Sequence, residues 1–105
     1  MNDISSAQVL AVITSPPSLE TEIVDWLLSQ DRGSGFSSAN VNGHSTQHDH
    51  LSIAEQVSGR QRRVQFQVQL DAGVLDEFLE SLKTEFSGAD LHYWILPISA
   101  GGHLG

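Results

Sequence analysis

Residues 64–70 read Val-Gln-Phe-Gln-Val-Gln-Leu, an unbroken alternation of apolar and polar side chains. Successive side chains of an extended strand point to opposite faces. Val64, Phe66, Val68 and Leu70 therefore belong to one face and Gln65, Gln67 and Gln69 to the other. The apolar face predicts a core. The polar face carries no charge, although Lys and Glu are common on a plain solvent face. Glutamines can hydrogen-bond across a subunit interface without the cost of desolvating charges. The expectation is a sheet face that meets another subunit, with ordinary exposed glutamine as the plainer alternative.

The rest of the chain supplies partners for this strand. Residues 7–14 (Ala-Gln-Val-Leu-Ala-Val-Ile-Thr) read as a strand, apolar on both faces in its second half and so central or covered on both sides. Pro16 and Pro17 break it, and Ser18 is the expected N-cap of a helix over about residues 19–30. Leu19, Ile23, Trp26, Leu27 and Gln30 share one side of that helix. Gly33 and Gly35 mark a turn, since a glycine pattern after a helix is not a dinucleotide fingerprint. Residues 36–41 can form a second strand. Asp71 is the expected cap of a second helix over residues 72–86, with Leu75, Phe78, Leu79, Leu82 and Phe86 as its buried stripe and Gly88 as its stop. Residues 91–98 read as a last strand, and Pro97 puts its end at a sheet edge. A Gly-rich tail, residues 99–105, is expected to be flexible.

The order is β-α-β-loop-β-α-β, which predicts an α+β fold of the ferredoxin-like βαββαβ type. Four antiparallel strands would carry two helices on one face. The other face, with the glutamine row, His92 and Trp94, is left for a neighbouring subunit. At 105 residues the chain suits a single domain, residues 1–105.

Charge and composition limit the function. The net charge of −8 argues against nucleic-acid or anionic-membrane binding. No apolar run approaches the ~20 residues needed to span a bilayer, and no signal peptide is visible, so the expected location is cytoplasmic. With no cysteine, thiolate catalysis and Cys-based metal sites are excluded.

Two clusters carry the candidate chemistry. His44, His48 and His50 fall within seven residues of a polar segment, with Asp49 among them. No regular element presents all three together, but a loop folded around an ion can. Such ligands suit divalent Ni, Co, Zn or Cu(II), and Asp49 could ligate or orient an imidazole. Neutral imidazole is the ligand form, so binding should weaken below pH ~6.5. The plainer alternative is a solvated histidine loop with incidental metal affinity. Arg60, Arg62 and Arg63 are three of the five cationic residues, and their guanidinium forks suit phosphate or carboxylate. His92 reads as structural, at a strand end or interface. Within the loop, Ser52 and Glu55 form a capping box that predicts a helical turn over residues 53–58.

A family resemblance rests on Val24-Asp25-Trp26-Leu27-Leu28, Asn42-Gly43-His44, the run from Leu51 through Ala54-Glu55-Gln56-Val57-Ser58-Gly59-Arg60, Arg63-Val64-Gln65-Phe66 and Leu91-His92-Tyr93-Trp94-Ile95-Leu96-Pro97. With these blocks the chain resembles the PII-like superfamily of trimeric regulators. More narrowly, it resembles an uncharacterised PII-like family encoded beside heavy-metal efflux systems. The divalent-ion-tolerance protein CutA is similar in shape. The resemblance implies a homotrimer and makes residues 42–59 the T-loop, the loop by which PII-type proteins contact their targets. It departs from PII proper in lacking the long T-loop with a modifiable tyrosine, since Tyr93 is the single tyrosine. The resulting expectation is a metal-responsive regulator of a membrane efflux transporter or of that transporter's regulator. The alternative is a sensor of a nucleotide or other small anion in an intersubunit cleft. No nucleophile elbow, zincin helix or thiol is present, so an enzyme is not expected.

Overall fold

The structure is a computed structural model that describes residues 7–30, 35–44 and 60–105. Four strands and two helices follow one another as β1 (Gln8–Ser15), α1 (Glu20–Ser29), β2 (Phe36–Gly43), β3 (Gln61–Asp71), α2 (Leu75–Phe86) and β4 (His92–Ile98). The sheet order is β2-β3-β1-β4, and every neighbouring pair is antiparallel. This is the ferredoxin-like arrangement of the PII fold. β1 is central, as its two apolar faces require, and β4 with Pro97 is an edge strand. The expected turn at Gly33, the capping box at Ser52 and Glu55 and the helical turn over 53–58 lie outside the described residues.

Strand alternation builds the core. Ala11 and Ile13 of β1 and Val64, Phe66, Val68 and Leu70 of β3 are buried on one face. Ile23, Trp26 and Leu27 of α1 and Phe78, Leu82 and Phe86 of α2 join them in one cluster. Trp26 links the helices. Its ring centroid lies 5.2 Å from Phe78 and 5.6 Å from Phe86, the second edge-on. Its indole N–H donates to Ser81 Oγ at 3.1 Å, so the polar end of this buried ring is satisfied across the layer.

The helix starts differ from the expected caps. Neither Ser18 nor Asp71 caps a helix through its side chain. Each helix is instead entered through one 3₁₀ turn, Pro17–Leu19 before α1 and Ala72–Val74 before α2. The tighter turn supplies backbone acceptors for the first N–H groups, and Leu19 N–H reaches Pro16 O at 3.1 Å. Asp71 is thereby released to accept a hydrogen bond from Gln8 Nε2 at the end of the β1–β3 pair. The end of α2 follows expectation: Gly88 adopts φ 81°, a left-handed conformation that costs glycine little.

Candidate functional site

The β2–β3 pair remains in register to its end, where Val41 faces Arg63, Asn42 faces Arg62 and Gly43 faces Gln61. Both ends of the intervening segment are therefore anchored on adjacent strands, about 5 Å apart. His44 leaves the end of β2 with an exposed side chain. His48, Asp49 and His50 fall outside the described residues. Among the described residues, no three His, Cys, Asp or Glu side chains are grouped to hold a metal ion. His44 thus stands at the root of the segment, and the remaining three candidate ligands belong to the segment itself.

The three arginines do not form one patch. Arg60 is exposed at the start of the return path. Arg62 and Arg63 are consecutive in β3, so they leave opposite faces of the sheet. Both nevertheless line a cleft of about 390 Å³ at the end of the β2–β3 pair, together with Pro17, Asn40, Val41 and Asn42. Asn40 and Asn42 share a sheet face with Arg62, and this combination of carboxamides and a guanidinium makes the cleft polar and suited to an oxyanion.

Arg63 is only 7% exposed. A guanidinium this buried needs partners, because it remains charged. Its Nε and Nη2 donate to Gln61 Oε1 at 3.2 and 2.8 Å, and Nη2 also donates to Asp90 Oδ2 at 3.0 Å. Asp90 lies in the α2–β4 turn and is the only described non-glycine residue with a positive φ, 59°. His92 Nε2 stands 3.7 Å from Asp90 Oδ1, beyond hydrogen-bonding distance. A chain of contacts therefore runs from the root of the segment at Gln61, through Arg63, to the turn that starts β4. Sequence reasoning gave no site role to Gln61, Asp90, Asn40 or Asn42, although Asn42 opens the expected T-loop. For Asp90 the available signal was its place just after Gly88, in a turn where Asp tolerates positive φ.

The proposed interface residues share the sheet face away from the helices. Gln67 and Trp94 flank Val12, Gln69 and Leu96 flank Leu10, and Gln65 and His92 flank Thr14. Trp94 is 61% exposed and Leu96 48%. Gln69 Nε2 donates to Gln8 Oε1 at 3.2 Å. Among the described residues, the charged groups of this face lie at its ends, where Asp71 meets Gln8 and Arg63 meets Asp90.

Residues 4–105 match the model of a family described as "Protein of unknown function (DUF3240)". The chain belongs to the DUF3240 family. A DUF3240 protein from Shewanella baltica OS155, solved at 2.40 Å, is 26% identical, with TM-score 0.76, covering 93% of this chain and 97% of that one. GlnK of Bacillus subtilis, solved as a complex with ATP, matches with TM-score 0.64 at 16% identity over 89% of this chain and 83% of its own. A Bacillus cereus protein related to NIF3 matches with TM-score 0.67 at 16% identity, over 93% of this chain and 27% of the larger protein. The two 16% likenesses establish the fold alone. No curated protein matches the sequence. Among the described residues of this DUF3240 protein, no helix is long and apolar enough to cross a membrane.

Proposed function

We propose that this DUF3240 protein is a regulatory module of the PII type, a homotrimer whose segment between β2 and β3 is its signalling loop. The observation that carries the reading is the anchoring of that segment: Gly43 and Gln61 are paired in the sheet, so a ligand bound beyond them acts directly on two rigid strands. In this reading His44, His48 and His50, with Asp49, take a divalent Ni, Co, Zn or Cu(II) ion. The ion orders the loop, and the ordered loop changes contact with a membrane heavy-metal efflux transporter or its regulator. Ligand-driven ordering of a segment is an established form of switching. The module binds and signals rather than catalyses, since a ligand set on a loop does not readily preorganise a transition state.

The trimer draws support from the charge distribution. The chain carries a net charge of −8, so close association favours an uncharged contact surface. The sheet face of Leu10, Val12, Trp94, Leu96 and the three glutamines is such a surface.

Hydrogen exchange with and without each metal tests the loop reading. Slowed exchange around His44 and Arg60 on metal addition is expected. The same change in a His44→Ala/His48→Ala/His50→Ala variant, or no change at saturating metal, would refute it.

A second reading is favoured by one observation, the buried Arg63 at a polar cleft. Here the protein senses a nucleotide or other small anion through Arg60, Arg62 and Arg63, and the histidines are incidental. The likeness to a GlnK solved with ATP is in keeping with this reading.

A further inference from the structure

Beyond β4 the chain continues as Ser99-Ala100-Gly101-Gly102-His103. Gly101, Gly102 and His103 are exposed and belong to no strand or helix. Their backbone N–H groups donate no hydrogen bond among the described residues, and the His103 imidazole has no partner there. The covalent geometry of such a stretch is that of a chelate. A metal on His103 Nδ1 closes a six-membered ring with the amide nitrogen of His103 itself. Five-membered rings follow with the amide nitrogens of Gly102 and Gly101. Peptide planarity brings these four nitrogens close to one plane, the arrangement that Cu(II) and Ni(II) favour. Glycine has no Cβ to crowd the chain as it wraps the ion. Because three donors are backbone atoms, one ligating side chain is enough, so the lack of a His, Cys, Asp or Glu group among the described residues does not bear on it.

The fold keeps this stretch apart from the other histidines. Ile98 pairs with Gln8 and Gln8 with Asp71, so the tail leaves the end of the sheet remote from Gly43 and Gln61. The ten steps from Gln61 to Asp71 run about 33 Å at ~3.3 Å each. The five residues from Ile98 to His103 span at most ~18 Å. His103 therefore does not reach His44 within one protomer. His92 offers no such chelate, because its backbone is paired with Thr14 in the sheet.

We propose that Gly101-Gly102-His103 is a metal site for Cu(II) or Ni(II), separate from residues 44–50. His103 Nδ1 anchors the ion, and the amide nitrogens of His103, Gly102 and Gly101 complete the square. Each amide releases its proton to solvent as its metal–nitrogen bond forms, so binding strengthens as pH rises. The His103 ring lies over Gly105, its Nδ1 3.3 Å from where a Cβ on that glycine would sit. Rotation of this exposed side chain, a fast motion, turns Nδ1 back toward Gly102. Zn(II) has no preference for a plane and gains nothing from the amide set. The net charge of −8 favours capture of a cation. The inference is independent of the loop reading.

Visible circular dichroism of the full chain during Cu(II) titration tests it, in the His44→Ala/His48→Ala/His50→Ala background. One Cu(II) per chain is expected, with a visible band that grows between about pH 6 and 9 as amide protons leave. Adding His103→Ala should abolish the band. Gly102→Pro keeps the imidazole but has no amide N–H to lose, and should remove most of the band and shift the absorption to longer wavelength. Gly102→Ala keeps the N–H and should retain the band. Equimolar Zn(II) should leave it unchanged. Gly102 and His103 are exposed, so these substitutions leave the core intact. Absence of any band, a band that survives His103→Ala, equal bands in Gly102→Pro and Gly102→Ala, or displacement by Zn(II) would each overturn the site. The loop reading stands apart from every one of these results, because the loop histidines are replaced in all the proteins compared.

Discussion

Trp94→Ala separates assembly from folding. In one protomer the Trp94 side chain is 61% exposed on the sheet face away from the helices. A Trp buries up to about 250 Å² when fully covered, so roughly 150 Å² remains for a partner to cover. At ~25 cal/mol per Å² that area is worth at most about 4 kcal/mol per subunit. Alanine retains some contact, and area converts imperfectly into affinity, which leaves about 2–3 kcal/mol. Each 1.4 kcal/mol is tenfold, so association should weaken roughly 30- to 150-fold per interface. The monomer should hardly notice, because an exposed edge-strand side chain contributes within about 0.5 kcal/mol to folding. Sedimentation velocity across a concentration series reads the first effect, and urea unfolding of the dilute protein reads the second. Unchanged assembly of Trp94→Ala, or an unaltered protein that stays monomeric at every concentration, would refute the interface.

Two further outcomes concern the fold. Phe66→Ala empties a fully buried position in the central β3 and should cost about 3–5 kcal/mol, seen as a large drop in the urea midpoint, whereas a cost below about 1 kcal/mol would contradict the core as described. Gly88→Ala places a Cβ at φ 81°, and although no neighbouring atom lies within 4 Å of it, the backbone alone should cost about 1–2 kcal/mol in thermal unfolding; an unchanged melting temperature would show that the turn relaxes freely.

Much of the architecture is legible along the chain because it rests on local periodicity. The alternation over residues 64–70 became the core strand β3, and the stripe from Leu75 to Phe86 became the buried side of α2. Boundaries were less legible. β2 continues two residues beyond Val41 to Gly43, because pairing with Gln61 and Arg62 holds Asn42 and Gly43 extended despite their weak strand preference. Ser18 and Asp71 have the chemistry of helix caps, but a 3₁₀ turn met the same backbone need first, and Asp71 took Gln8 as its partner instead.

The candidate site divides in the same way. Histidine spacing, the absence of cysteine, the surplus of acid and the glutamine row are properties of residue order and composition. They name possible ligands and exclude whole classes of chemistry without any folding. The separation of Arg62 from Arg63 onto opposite faces follows once β3 is recognised as extended. The choice of Asp90, 27 positions away, as the counter-charge of Arg63 does not. It depends on where the α2–β4 turn passes over the end of the sheet, which is set by how the helices pack on the core. Tertiary packing alone therefore decided which arginine became buried and which carboxylate answers it, because Coulombic partners are selected by distance and burial rather than by separation along the chain.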